Sequence, residues 1–196
     1  DADALAILGS RNLDGDAATP VNYVQALRFL TQAAELGQAV AQYRLGTMYE
    51  LGRGMPVDLV KAAHWYELSA GQGNRKAMHN LGVLYSRGTA VPKNMPLAVT
   101  WFARAAALGL ADSQFNLAVL YERGDSVPQS LREAYKWYSI AAARGDVESR
   151  NRVSVLQSEL PDADKKAAEI EIASFHPVRM IDSANVVPGL DHPAAQ

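Results

Sequence analysis

Apolar and small residues fall three and four positions apart through most of this chain, with polar residues between them. Ala41, Leu45, Met48, Tyr49 and Gly52 stand at i, i+4, i+7, i+8 and i+11, which is one face of a helix. Ala77, Leu81, Leu84, Tyr85 and Gly88 repeat the pattern, as do Ser113, Leu117, Leu120, Tyr121 and Gly124. Each glycine follows the aromatic by three, where a helix can end on a residue of positive φ. Pro56, Pro92 and Pro128 then block continuation. Two residues later come Asp58, Asn94 and Ser130, with Asn22 at the matching place earlier, all good N-cap residues that predict a second helix. That helix carries Ala62, Trp65, Tyr66 and Ala70, then Ala98, Trp101, Phe102 and Ala106, then Ala134, Trp137, Tyr138 and Ala142. Gly73, Gly109 and Gly145 close it.

The two patterns recur together every 36 residues, from Pro20 through Pro56 and Pro92 to Pro128, and from Gly37 through Gly73 and Gly109 to Gly145. A fixed period of this size is the signature of a helical repeat array. The predicted fold is all-α, an α/α solenoid of helix-turn-helix units at about 4–40, 41–76, 77–112 and 113–148. The first unit is degenerate, with Asn12 in place of tyrosine and Phe29 in place of tryptophan. After Gly145 a half unit runs to about Ser158, and a helix from Leu160-Pro161-Asp162 to Phe175 is expected to cap the last open face with Ala167, Ile170 and Phe175. Residues 149–175 thus close the array. Residues 176–196 lack the period and hold Pro188, Gly189 and Pro193, so a flexible tail is expected there.

The pattern A-x-x-x-L-G-x-x-Y-x-x-G, then Pro, then A-x-x-W-Y-x-x-x-A-x-x-G resembles Sel1-like repeats, and residues 41–73 fit it almost throughout. Residues 77–109 and 113–145 fit as well. The resemblance implies antiparallel helix pairs related to tetratricopeptide arrays, and it supplies no activity. The stretches QYRLGTMYELGRG, KAMHNLGVLYSRG and DSQFNLAVLYERGDSVPQSLREAYKWYSIAAARGD further resemble the C-terminal region of the polar organelle development (PodJ) family of alphaproteobacteria. That resemblance implies the periplasmic part of an inner-membrane polar localisation factor, a scaffold that recruits polar organelle and signalling proteins, with peptidoglycan as a further contact. Periplasmic Sel1-like regulators of sensor kinases, typified by ExoR, share the repeat and give a second reading. A cytoplasmic location is the runner-up to the periplasm.

Net charge is -2 with both signs interspersed, so no basic stripe points to nucleic acid. No apolar run approaches the length of a membrane span, and no signal peptide is visible, so a mature form or an excised fragment is expected. The cysteine count of 0 excludes disulfide staples and thiolate metal sites in this chain.

Catalytic chemistry is sparse. His64 and His79 lack the partner spacing of a metal site, and no cofactor or metal is expected. Gly52-Arg53-Gly54 sits at a helix end, and its structural use explains it. Glu169 and Glu171 with Lys165 and Lys166 read as solvated charge. The Trp65, Trp101 and Trp137 ladder could stack on sugar rings, but it recurs where the repeat needs bulk and is expected to be core packing. Glu50 and Glu122 are the repeated acids on which a cell-wall hydrolase would have to rely, and no close acid pair is apparent.

Function is therefore sought in a partner-binding groove lined by the first helices. Tyr43, Arg44 and Thr47 are matched by His79, Asn80 and Val83, then by Phe115, Asn116 and Val119. Each set offers a ring, a polar group and a smaller side chain. The rings could grip an extended peptide or a partner helix while Arg44, Asn80 and Asn116 hydrogen-bond its backbone. The alternative is that the rings fill groove walls and the asparagines satisfy neighbouring helix ends. A non-enzymatic protein-interaction scaffold is the favoured reading.

Overall fold

The structure is a computed structural model that describes residues 1–15 and 18–187. Among the described residues there are helices and no strands. The helices are α1 (Ala2–Asp14), α2 (Tyr23–Glu35), α3 (Ala39–Leu51), α4 (Leu59–Gly71), α5 (Arg75–Arg87), α6 (Met95–Ala107), α7 (Ala111–Arg123), α8 (Leu131–Ala142), α9 (Val147–Glu159), α10 (Asp162–Ser174) and the short α11 (Asp182–Asn185). Through α9 each helix packs on its neighbours in sequence, as an α/α solenoid requires.

The punctuation in the sequence acts as its chemistry demands. Gly52, Gly88 and Gly124 end α3, α5 and α7 in the left-handed region, at φ of 66°, 70° and 74°. The side chains of Asn22, Asp58, Asn94 and Ser130 each accept the backbone N–H three residues on and so start α2, α4, α6 and α8. The backbone N–H of each capping residue also returns to the previous helix, donating to the carbonyls of Asn12, Tyr49, Tyr85 and Tyr121. Asn12 thus serves the hairpin as well as the tyrosines do, because the contact uses only its backbone oxygen.

Small residues set how closely the helices approach. Ala26, Ala62, Ala98 and Ala134 have no exposed surface. A Cβ at Gly46 would lie 2.7 Å from the Tyr66 ring, and one at Gly82 would lie 2.6 Å from the Phe102 ring. Hydrogen would fit these places and a methyl group would not without movement. The core is built from Leu30, Leu45, Met48, Tyr66, Leu81, Leu117, Tyr138 and Leu156.

Trp65, Trp101 and Trp137 are half-buried against three core clusters, and Trp65 packs on the cluster of the preceding unit. Arg104 lies over Trp101 and Lys136 over Trp137, while the edge of Phe175 meets the Trp137 ring at 5.6 Å. The tryptophans are packing residues, two of them with cationic covers, rather than an open row of faces.

Two expectations about the end of the chain need correction. Ile170 does not face the array and is 65% exposed; Ala168 and Ile172 pack inward instead. The helix is oriented by charge: Glu171 accepts from Lys136 at 2.7 Å, with Arg132 alongside, and α10 therefore packs on α8. Glu171 is accordingly an ion-pair anchor and not merely solvated charge, and Lys136 holds its carboxyl below the usual range. The expected flexible tail of residues 176–196 is also not what the structure holds for 176–187. That segment runs back along the array and buries Ala184 and Val187. Backbone groups dock it, and hydrophobic periodicity carries no trace of such contacts. Residues 188–196 lie outside the described residues.

Candidate protein-binding groove

All nine expected groove residues lie on α3, α5 and α7, and all nine are half-buried. Each ring sits against a more deeply buried ring of the partner helix. Tyr43 meets Tyr66 at 6.0 Å between centroids, His79 meets Phe102 at 5.6 Å, and Phe115 meets Tyr138 at 5.6 Å. Ring-on-ring contact fixes the outer ring's orientation while leaving part of its surface to solvent.

Two of the buried rings end in hydroxyls with a dedicated acceptor. Tyr66 donates to Glu50 at 2.5 Å and Tyr138 donates to Glu122 at 2.8 Å. Burial and the neighbouring carboxylate push both phenols far above the usual tyrosine value. The middle unit has Phe102, which has no hydroxyl, and the position of Glu50 and Glu122 there is Ser86, bonded to its own helix at the Val83 carbonyl. The acid and the hydroxyl are therefore lost together.

A second row continues this logic across units. Positions 14, 50, 86 and 122 read Asp, Glu, Ser, Glu, and positions 44, 80, 116 and 152 read Arg, Asn, Asn, Arg. Arg44 pairs with Asp14 at 2.6 Å, and Arg152 pairs with Glu122. Asn80 reaches the hydroxyl of Tyr66, the residue that holds Glu50. Asn116 shares a cavity of about 220 Å³ with Ser86, Val83, Phe102 and Val119, and its amide makes no hydrogen bond among the described residues. The groove floor is thus a ladder with charged pairs at both ends and neutral amides in the middle.

This arrangement changes the expected roles. Arg44 is committed to Asp14, and the Thr47 hydroxyl is turned onto the Arg44 carbonyl at 2.7 Å. Asn116 is the polar group left open. A cavity of about 380 Å³ lies between α7, α8 and α9 and joins Phe115 and Val119 to Glu122, Arg123, Glu148, Asn151 and Arg152. Sequence reasoning ended the row at the fourth unit and so missed Arg152, although it stands 36 residues after Asn116. Tyr43, His79 and Asn80 line a further cavity of about 180 Å³ with Lys76, Leu110 and Asp112.

His79 accepts or donates one hydrogen bond with Ser113 Oγ at 2.9 Å, and burial holds its imidazole below the ordinary value despite Asp112 and Glu50 nearby. His64 is exposed beside Trp65. Among the described residues no three His, Asp or Glu side chains gather into a metal site. The His79 shift has a consequence for stability. The folded chain keeps this ring neutral where the unfolded chain already binds a proton, so its contribution is full above the ordinary histidine pKa of about 6.5 and is lost as pH falls through that value. Denaturant unfolding at pH 7.5 and 5.5 should show wild type losing more stability on acidification than His79→Phe. Equal losses would remove His79 as the cause.

Comparison with known proteins agrees with this architecture. The Sel1 repeat model matches residues 2–38, 39–74, 75–110 and 111–146. Among curated proteins no significant match is found. A protective antigen of uropathogenic Escherichia coli, c5321, described as displaying an SLR fold, superposes with a TM-score of 0.81 at 26% identity over 89% of this chain and 37% of its own. A Sel1 repeat protein of Oxalobacter formigenes gives 0.76 at 25% identity over 87% of this chain and 73% of its own. Cysteine-rich protein B of Helicobacter pylori gives 0.50 at 28% identity over 57% of this chain and 83% of its own. This chain spans little more than a third of the Escherichia coli antigen and shares none of the cysteine framework that names the Helicobacter pylori protein. Sel1 repeat proteins generally mediate protein–protein interaction. With four consecutive units matched, the chain belongs to the Sel1 repeat family.

Proposed function

We propose that this protein is a non-enzymatic interaction scaffold whose groove binds an extended segment of a protein partner. The observation that carries this reading is the polar ladder: neutral amides at Asn80 and Asn116 flanked by the half-exposed rings of Tyr43, His79 and Phe115. Rings supply contact area at low entropic cost, and amides both donate to and accept from a peptide backbone. The charged ends of the ladder are internally paired, so recognition in the middle depends on shape and hydrogen bonding more than on net charge.

On the sequence resemblance, we place this scaffold in the periplasm as part of a polar localisation factor that positions polar organelle and signalling proteins, with peptidoglycan as a further contact. A sensor-kinase regulator of the same fold class is the second reading. A hydrolase is disfavoured, because Glu50 and Glu122 each serve a tyrosine hydroxyl and Glu122 also serves an arginine.

The test is a crosslinking pull-down from envelope extract with wild type and with the Arg44→Ala, Asn80→Ala, Asn116→Ala triple variant as baits. The variant should lose a polar membrane partner that the wild type captures while its circular dichroism stays helical. Unchanged capture would overturn the groove assignment. Sedimentation with sacculi separates wall contact from protein contact, and turnover of muropeptides would favour the hydrolase.

A further inference from the structure

Beyond the groove, the structure presents a second surface that is already occupied. The turns ending α4 and α6 form one edge of the array, where Gly73 and Gly109 take φ of 99° and 79° and so leave no side chain in the way. Residues 175–187 lie along this edge, running against the direction of the array. Pro177 lies over Gly109, and the backbone N–H of Val178 donates to the Ala107 carbonyl at 2.9 Å. Four residues on, Ile181 lies over Gly73. Asn185 then donates to the Gly73 carbonyl at 3.1 Å and accepts the Arg75 N–H at 3.0 Å, while the buried Asn74 donates to the Ala184 carbonyl. Val187 ends in the core cluster of Leu30, Ala34 and Val40.

One step is fixed at both ends: 36 residues of array, from Gly73 to Gly109, correspond to four residues of the segment, from Ile181 back to Pro177. The hold is uneven: Val178 and Ile181 remain 59% and 55% exposed, whereas Ala184 and Val187 are buried, so the first half of the segment is held mainly by the hydrogen bond of Val178 and is the half that frees most readily.

We propose that this edge is a peptide-docking surface, separate from the groove, that takes an extended run followed by one helical turn, and that residues 177–187 are its resident and exchangeable occupant. The occupant borders the groove where Met180, Asn185, Val186 and Val187 share a cavity of about 230 Å³ with Tyr43 and Arg44. Asn74 is the selective element. Its side chain caps α5 through the Ala77 N–H and at the same time binds the segment's backbone, so a docked peptide and the start of the helix are held by one amide.

The test uses the full chain and a labelled synthetic peptide of residues 175–187. The Ile181→Asp, Asn185→Ala variant loosens the resident segment. Fluorescence anisotropy should show the peptide binding this variant about tenfold or more tightly than wild type, because a resident occupant lowers apparent affinity by the fraction of free sites. Adding Asn74→Ala should remove that binding, whereas adding Asn116→Ala, a groove change, should not. Peptide binding to neither protein, equal binding to both, or loss through Asn116→Ala would each overturn the proposal. Hydrogen exchange on wild type gives a check free of folding artefacts. Slowed exchange of the Val178 and Arg75 amides at a concentration where the chain is monomeric is expected. Unprotected amides, or protection only in a dimer, would overturn residence in cis.

Discussion

Tyr66→Ala should lower stability by about 3–5 kcal/mol, the range for removing a fully buried large side chain from a core that cannot collapse around the gap. Tyr66 has no exposed surface, fills the space left by Gly46, and supports the Tyr43 ring. Its loss should therefore also free Tyr43 and weaken the groove. Tyr66→Phe separates the two parts of its role. It keeps the packing and gives up the hydroxyl's bond to Glu50 and its contact with Asn80, both of which are half-buried and can be hydrated, so the cost should be about 1 kcal/mol. The middle unit already contains this exchange naturally as Phe102 with Ser86. In agreement, the pair Tyr66→Phe with Glu50→Ser should cost less than the sum of its members. Urea unfolding curves for the four proteins check this, and a Tyr66→Ala loss below about 1 kcal/mol would mean that the site relaxes freely.

Gly82→Val should have the next largest effect, a loss near the upper part of the 1–3 kcal/mol range usual for overpacking, or about 2–3 kcal/mol. Three atoms of the Phe102 ring lie within 2.9 Å of where its Cβ would stand. Replacing a helical glycine returns roughly 0.5–1 kcal/mol of backbone entropy at most, so the clash wins. The fourth unit has Ala118 at this position beside Tyr138, fully buried, and its helices accommodate one methyl group. Valine adds two more carbons and cannot turn away. Phe102→Leu should recover part of the loss, because a branched aliphatic side chain can yield where the ring cannot. Thermal unfolding of the single and double variants would show it, and no recovery would locate the clash elsewhere.

The sequence shows the repeat so clearly because every unit solves the same local problem with the same residues. Asn22, Asp58, Asn94 and Ser130 must cap a helix, and Gly52, Gly88 and Gly124 must end one, whatever surrounds them. The equivalence of Tyr43, His79 and Phe115 was readable from their spacing of 36 residues. Their pairing was not. That Arg44 is taken up by Asp14 depends on the distance between successive units, which no single helix pattern contains. It could have been found from the separation of 30 residues between the rows, which sets Asp14 against Arg44 at one end and Glu122 against Arg152 at the other. The inward face of α10 was misjudged for a related reason: a short helix with several alanines and isoleucines offers two apolar stripes, and the Lys136–Glu171 contact chose between them. The segment at 176–187 was illegible because each hydrogen bond that holds it has a backbone group on one side, and its two asparagine partners, Asn74 and Asn185, read in sequence as a helix cap and a polar residue near the chain end.

The docked segment also redirects mechanical load. An array of this kind ordinarily transmits a pull from one end to the adjacent unit and so onward. Here the chain leaves α10, crosses the α6 turn, and is fixed at Asn74, Arg75 and Val187 near the opposite end. A tug on whatever follows residue 187 is felt first by the first and second helix pairs at Val187, next by the third at Asn74 and Arg75, and only afterwards by the closing helix. The protein is wired as a loop rather than a rod, and its far end is its first responder.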